Sequence, residues 1–131
     1  MKNQLHYFLL CMALFLVSCD DSKDDSIQSI TPEQMQDVLL EENIQILDVR
    51  TPEEFIENFI YKSQNICVTQ DDFKEKVKRL DKNKPVYLYC KSGMRSDKAA
   101  KILKEMGFKE IYTMKGGIDL WKKKGFELDK S

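Results

Sequence analysis

Histidine is nearly missing from this 131-residue chain, which contains a single one, at position 6. Residues 19–131 therefore cannot by themselves form a Ser-His-Asp or Cys-His catalytic site or a histidine-based metal site. A reactive cysteine in this part of the chain would have to be activated by backbone dipoles and by Lys or Arg. No metal and no cofactor are expected.

A strong excess of charge is absent as well. The chain has 21 Lys and Arg against 22 Asp and Glu, a formal net charge of −1. This balance gives no reason to expect a nucleic acid as a partner. The hydrophobic fraction of 42% is ordinary for a globular protein, and the length allows one domain.

Long hydrophobic runs are missing except near the amino terminus. There, Lys2 precedes an apolar stretch from Tyr7 to Val17, shorter than the roughly 20 residues of a membrane-spanning helix. The pattern is typical of a secretory signal peptide, which we predict over residues 1–18. Its end, "LVSC", resembles the bacterial lipoprotein signal. An ordinary signal peptide cleaved nearby, or a buried helix, are the alternatives.

On the lipoprotein interpretation, Cys19 carries the lipid and residues 19–26 form a flexible acidic tether. Two acyl chains anchor a protein stably to a membrane. We therefore expect a membrane-bound protein of the bacterial cell envelope, outside the cytoplasm, at the periplasmic face or the cell surface. Removing residues 1–18 also removes His6 and Cys11.

Short apolar runs alternate with helix-period segments from residue 27 to residue 128. This alternation predicts an α/β fold with a parallel sheet covered by helices on both faces. Strands are predicted at 27–30, 44–49, 65–68 and 85–90. Helices are predicted after Thr31-Pro32 and Thr51-Pro52, along the Phe73, Val77 and Leu80 face, and through Ala99 to Gly107.

Cys90 ends the clearest strand, "PVYLYC", and opens a loop at the strand edge where ligands of such sheets bind. A tight loop before a helix turns backbone N–H groups toward one centre, and Gly93 allows that turn. Ser96 is predicted as the N-cap of the following helix. Cys90 is then a thiolate nucleophile, and the loop residues Lys91, Ser92, Gly93, Met94, Arg95 and Ser96 bind substrate. The alternative is a buried apolar cysteine.

The stretch "CKSGMRS" (90–96) resembles the active loop of single-domain rhodaneses, a sulfurtransferase family. "ILDVRTPEEF" (46–55) resembles the family's strand and Asp-Val-Arg turn, and "MKGGIDLWKKKGFEL" (114–128) its carboxyl-terminal pattern. The resemblance implies a rhodanese-like domain over residues 27–128, with a central parallel sheet of about five strands.

The resemblance also implies a thiosulfate-type sulfurtransferase. The Cys90 thiolate would attack the outer sulfur of a small anionic donor such as thiosulfate, sulfite would leave, and the persulfide would pass its sulfur to cyanide or a thiol. A protein donor or acceptor is possible. Lys91 is expected to attract the anion. Arg95 is expected either to orient the loop through hydrogen bonds or to meet the donor's oxygens.

Two other functions remain open. Cysteine phosphatases and arsenate reductases also place a cysteine and an arginine before a helix, but with Cys-x5-Arg spacing. Here four residues separate Cys90 from Arg95. A persulfide carrier or sulfide-sensing module with little turnover is compatible with the intact loop.

Several residues outside the loop have alternative interpretations. Asp48 and Arg50 either brace the pocket or form an ion pair with Glu53 or Glu54. Cys67 is either a resolving thiol or a buried apolar one. The implied strand order separates it from Cys90 by two strand spacings, roughly 10 Å, beyond disulfide reach.

The carboxyl-terminal residues are interpreted mainly as structure. Trp121 and Phe126 are expected in the core, and the lysines at 122–124 in solvent. Residues 115–117 either approach the pocket or make a simple turn. One departure from the family concerns Asn58 and Phe59, which stand where Gly and His are usual, and this puts local packing in doubt more than catalysis.

Overall fold

A computed structural model describes residues 26–131, in which five strands alternate with five helices. The strands are β1 Ile27–Ile30, β2 Gln45–Asp48, β3 Ser63–Asn65, β4 Val86–Tyr89 and β5 Ile111–Met114. The helices are α1 Pro32–Val38, α2 Pro52–Glu57, α3 Phe73–Val77, α4 Met94–Glu105 and α5 Gly117–Lys123.

The strands form one sheet in the order β1-β5-β4-β2-β3, and every neighbouring pair is parallel. The predicted parallel sheet of five strands is confirmed. Strand β4 lies at its centre, between β5 and β2, and all four of its residues are buried. Cys90, the next residue, therefore lies at the carboxyl end of the central strand.

Helices cover both faces of the sheet, as predicted. Helices α3 and α4 supply the residues that pack on one face, Phe73, Val77, Ala99, Ala100 and Leu103. Helices α1 and α5 supply those on the other, Met35, Val38, Ile118 and Trp121. Helix α2 has no fully buried residue, and its contacts include hydrogen bonds to Glu54 and the stacking of Phe55 on Phe59.

Local signals explain where α1 and α2 begin. Each starts with Pro after a threonine N-cap, at Thr31 and Thr51. Each threonine accepts a hydrogen bond from the backbone three residues on, while the side chain there, Gln34 or Glu54, accepts from the threonine N–H. These reciprocal bonds satisfy amides that a helix start leaves unpaired.

Two predicted boundaries are wrong. The third strand was predicted at 65–68, but β3 ends at Asn65. The apolar residues after it are buried because they pack in the core, as Ile66 and Val68 do. Leu80 is buried as expected, yet it lies beyond the end of α3 at Val77.

The amino-terminal predictions lie outside the described residues. They comprise the signal peptide at 1–18, the lipid on Cys19 and the tether as far as position 25, and they stay predictions. Within residues 26–131, no helix combines the length and the apolar character needed to cross a bilayer.

Candidate active site

Cys90 is 1% exposed and its thiol is free. The backbone N–H of Gly93 donates a hydrogen bond to its sulfur over 3.0 Å. The thiol in turn donates to the hydroxyl oxygen of Ser96 over 3.6 Å. The sulfur thus belongs to an apolar cluster and accepts one backbone N–H from the loop, the type of donor that favours a charged acceptor, whereas the bond to Ser96 is donated by the neutral thiol.

The loop turns more tightly than the sequence predicts. Gly93, with a φ of 125°, is the N-cap of α4, so the prediction of Ser96 as N-cap is wrong. Ser96 lies in the first turn and donates its hydroxyl to the carbonyl of Gly93 over 2.9 Å. Positive φ is accessible to glycine at little cost, and it lets the chain pass from the N–H that bonds the sulfur directly into α4.

Arg95 is bound to a helix across the site. Its guanidinium donates to both carboxylate oxygens of Glu54 in α2, over 2.6 and 2.9 Å. The hydrogen bonds from Arg95 lower the pKa of Glu54 to about 2, and the same pairing raises the pKa of Arg95. These hydrogen bonds are of the kind that the orienting role requires, with Glu54 as the partner, and both roles considered for Arg95 stay predictions.

Lys91 is also paired with a carboxylate. Its ammonium lies 2.9 Å from each carboxylate oxygen of Asp119 in α5. The sequence interpretation missed both Asp119 and the pairing of Glu54 with Arg95. A Thr-x-x-Glu capping signature marks Glu54 as part of a helix start, but no local signal links residues so far apart in the chain.

The start of α5 holds the backbone of the loop. Ile118 N–H donates to the carbonyl of Cys90 over 2.9 Å, and Asp119 N–H to that of Lys91 over 3.1 Å. Gly117 has a φ of 58°, and a Cβ there would overlap the Lys91 carbonyl and lie 2.6 Å from that of Cys90. The segment 115–117 therefore approaches the loop and is more than a turn. Because trans peptides are planar, the N–H groups of Lys91 and Ser92 point away from α5.

Asp48 and Arg50 form a buried ion pair with each other, at 2.6 Å. Of the two alternatives for these residues, the ion pair with Glu53 or Glu54 is not the one that forms, because the Arg50 guanidinium is paired with Asp48. Arg50 also donates to the carbonyl of Asn58 over 2.6 Å. Burial opposes the charge on Arg50, but hydrogen bonds and charge from Asp48 outweigh it and raise the Arg50 pKa. The pair fastens the end of β2 to the chain that follows α2.

The departure at Asn58 and Phe59 lies in this same region, where the side-chain oxygen of Asn58 is buried with no hydrogen-bond partner among the described residues. Phe59 stacks on Phe55 with ring centroids 4.4 Å apart, and its backbone bonds to that of Asp129. Nearby, the Tyr89 hydroxyl accepts the Ile60 N–H over 3.0 Å, and burial raises the Tyr89 pKa. These contacts belong to the scaffold beneath the loop.

The remaining predicted residues are placed as follows. Ser92 and Met94 are exposed at the loop surface. Cys67 is buried and free, and its sulfur lies 3.1 Å from the Thr69 hydroxyl. Strand β2 lies between the strands that precede Cys67 and Cys90. Within residues 26–131, no group of three or more potential ligand side chains could hold a metal ion.

Of the carboxyl-terminal aromatic residues, Trp121 lies in the core, as predicted, and Phe126 is partly buried against it. Trp121 is buried, donates its indole N–H to the Glu127 carbonyl over 2.8 Å and meets Phe126 edge-on. The lysines at 122–124 are exposed, and Lys124 forms an ion pair with Glu33.

These features define a class of protein: an α/β domain with a parallel sheet and a strand-end cysteine enclosed by a loop that opens a helix. The chain belongs to the rhodanese-like domain family, whose model matches residues 31–124. It is 36% identical over 80 residues to the thiosulfate sulfurtransferase GlpE of Coxiella burnetii, covering 61% of this chain and 73% of that protein.

Other relatives differ in how much of them the chain covers. It is 42% identical over 77 residues to the protein YqhL of Bacillus subtilis, 59% of this chain and 60% of that protein. It is 32% identical over 98 residues to a tRNA uridine(34) hydroxylase of Pelagibacter ubique, 74% of this chain but only 33% of that protein.

Solved structures agree on the fold. A rhodanese-related protein of Thermoplasma volcanium superposes with a TM-score of 0.70 at 30% identity, covering 79% of this chain and 99% of that one. A rhodanese-like domain protein of Staphylococcus aureus gives 0.69 at 30% identity, covering 79% and 98%.

Proposed function

We propose that this chain is a sulfurtransferase that moves a sulfane sulfur from thiosulfate or a similar donor to a thiophilic acceptor through a persulfide on Cys90. One observation carries the proposal: the Cys90 sulfur accepts the Gly93 N–H at the carboxyl end of the central strand. Membership of the rhodanese-like family and the likeness to a named thiosulfate sulfurtransferase support it.

The proposed reaction needs no cofactor and no general base for its first step. The Cys90 thiolate attacks the outer sulfur of thiosulfate, the S–S bond of the donor breaks, and sulfite leaves with the electron pair. Cyanide or a thiolate then attacks the outer sulfur of the persulfide. Thiocyanate or a new persulfide departs, and the Cys90 thiolate is restored.

The loop supplies the electrostatic stabilisation for these steps. The Gly93 amide faces the sulfur, and the amides of Lys91 and Ser92 point away from α5. In the proposal these donors, with those up to Ser96, hold the charge that moves between Cys90 and the outer sulfur. Arg95 acts on the loop through Glu54, and Asp48 and Arg50 support the neighbouring strand end.

Turnover of thiosulfate and cyanide to thiocyanate tests this function. Wild-type protein is expected to form thiocyanate, and Cys90→Ser to form none above background because serine cannot carry sulfane sulfur. Cys67→Ser is the matched control, since it removes the other buried thiol of the described residues. Activity retained in Cys90→Ser, or lost only in Cys67→Ser, would contradict the proposal.

A persulfide carrier with little turnover is the second candidate. Two observations favour it: Cys90 is almost fully buried, and both cations of its loop are paired with carboxylates. A carrier would load slowly from thiosulfate but quickly from a protein persulfide. The same pairing of Arg95 argues against a phosphatase, because its donors are engaged by Glu54 rather than available for an oxyanion.

Attachment to a bacterial envelope membrane through lipid on Cys19 is a separate proposal. Its basis is the amino-terminal sequence alone. Detergent phase separation of protein from cells tests it. The wild type is expected in the detergent phase and Cys19→Ala in the aqueous phase, and equal distribution of the two would refute the anchor.

A further inference from the structure

The loop after Cys90 carries two cations, and each forms an ion pair with a carboxylate. Arg95 meets Glu54, and Lys91 meets Asp119. The formal charges of these four side chains sum to zero. A doubly charged donor such as thiosulfate therefore gains little net attraction from them, although the sequence predicts Lys91 as the residue that draws such an anion in.

Asp119 binds both the backbone and the side chain of Lys91. Asp119 donates its backbone N–H to the Lys91 carbonyl, and its carboxylate accepts from the Lys91 ammonium. The lysine side chain is thus folded back toward the start of α5. Both side chains remain well exposed, at 59% and 45%, so the ion pair adds little to stability and its main consequence is electrostatic.

We propose that Asp119 is a specificity-determining residue that acts through Lys91: it cancels the lysine's charge and so disfavours multiply charged donors relative to neutral or singly charged ones. This inference rests on the proposed function for its substrates. The electrostatic effect of Lys91 and Asp119 on Cys90 can be measured through the reactivity of the thiol, without sulfur transfer.

Alkylation of Cys90 by iodoacetate, an anion, and iodoacetamide, its neutral analogue, measures that effect. The ratio of the two rates cancels the intrinsic reactivity of the thiol. Asp119→Asn is expected to raise the ratio about threefold at low ionic strength, and less at high salt. Peptide mapping assigns the label to Cys90 rather than Cys67.

A second variant and a control separate charge from structure. Lys91→Gln should lower the ratio, and the double variant should return it close to that of the wild type. Glu75→Gln, which breaks the exposed Glu75–Lys78 pair on α3 and its flank, should leave it unchanged. A structural effect of Asp119→Asn would change both alkylation rates by the same factor, and that result would overturn the proposal.

The rate of Cys90 loading from thiosulfate is the last measurement of the test. Because the electrostatic effect scales with probe charge, loading of Cys90 from thiosulfate should gain roughly the square of the iodoacetate effect, about ninefold. Wild-type protein that fails to load from any donor would refute the proposed function while leaving the alkylation result intact. Loading that is unchanged in Asp119→Asn would refute the specificity role alone.

Discussion

Cys90 and Cys67 lie at the same edge of one sheet, both buried and both free, yet their surroundings differ. At Cys90 the chain folds back, so the Gly93 amide meets the sulfur and a 12-residue helix begins. At Cys67 the sulfur contacts the hydroxyl of Thr69, and the helix that follows has five residues and starts later, at Phe73.

Under the proposed function, the difference means that burial and position on a sheet do not by themselves make a thiol reactive. A reactive site also needs backbone donors that converge on the sulfur and a structure that keeps them there. At Cys90 that structure is external to the loop: α5 holds its backbone, and α2 holds Arg95. Each of these supports can be removed separately.

Among substitutions around the Cys90 loop, Gly117→Ala should have the largest effect on stability and on sulfur loading. A Cβ at this position overlaps the loop backbone, and φ there is positive, so the loop must move. We expect a loss of about 2 kcal/mol or more in unfolding free energy and at least about a tenfold loss in the rate of sulfur loading.

Gly125→Ala is the control for that change. Gly125 also has a positive φ, 78°, but a Cβ there meets nothing within 4 Å. It should cost only about 1 kcal/mol and leave sulfur loading unaffected. Equal behaviour of the two variants would show that backbone strain, and not the approach to the loop, matters at Gly117.

Glu54→Gln should have a smaller, pH-dependent effect. Folding lowers the Glu54 pKa from 4.5 to about 2, so its carboxylate stabilises the folded state above the ordinary pKa and loses that contribution as pH falls toward 2. At neutral pH the variant should lose about 1 kcal/mol.

Urea unfolding at several pH values checks this expectation. The gap between wild type and Glu54→Gln should narrow from pH 4.5 downward. Glu53→Gln removes an exposed carboxylate of the same helix and should barely change the neutral-pH midpoint. A gap that stays constant with pH would argue against the ion pair with Arg95 as its source.

Thr69→Val should have the smallest effect, because it removes only the hydroxyl near Cys67. The expected cost is about 1 kcal/mol or less in unfolding free energy, with no change in sulfur loading. A loss of loading comparable to that of Gly117→Ala would mean that the two cysteines are functionally coupled.

The sequence was sufficient for the architecture and for the location of the loop. Alternating apolar strands and Thr-Pro helix starts are local signals, and β4, α1 and α2 lie where they predict. The third strand was misplaced because the burial of Ile66 and Val68 in the core looks the same in sequence as a strand.

The contacts that hold the loop were less predictable. Three of these contacts join residues that are far apart in the chain and meet only because of the strand order. They are Glu54 with Arg95, Asp119 with Lys91, and Gly117 with Cys90. Ser96 was misassigned as the N-cap because the conformation of Gly93 starts the helix earlier. Such tertiary contacts leave no periodic trace in one sequence.

Mass spectrometry of the protein after incubation with thiosulfate determines whether Cys90 carries the transferred sulfur. We expect an added mass of about 32 Da, one sulfur, on the peptide that contains Cys90, and none on the peptide that contains Cys67. The added mass should disappear when cyanide is supplied. Sulfur found on Cys67 instead, or on neither peptide with every donor tried, would contradict sulfur transfer through Cys90.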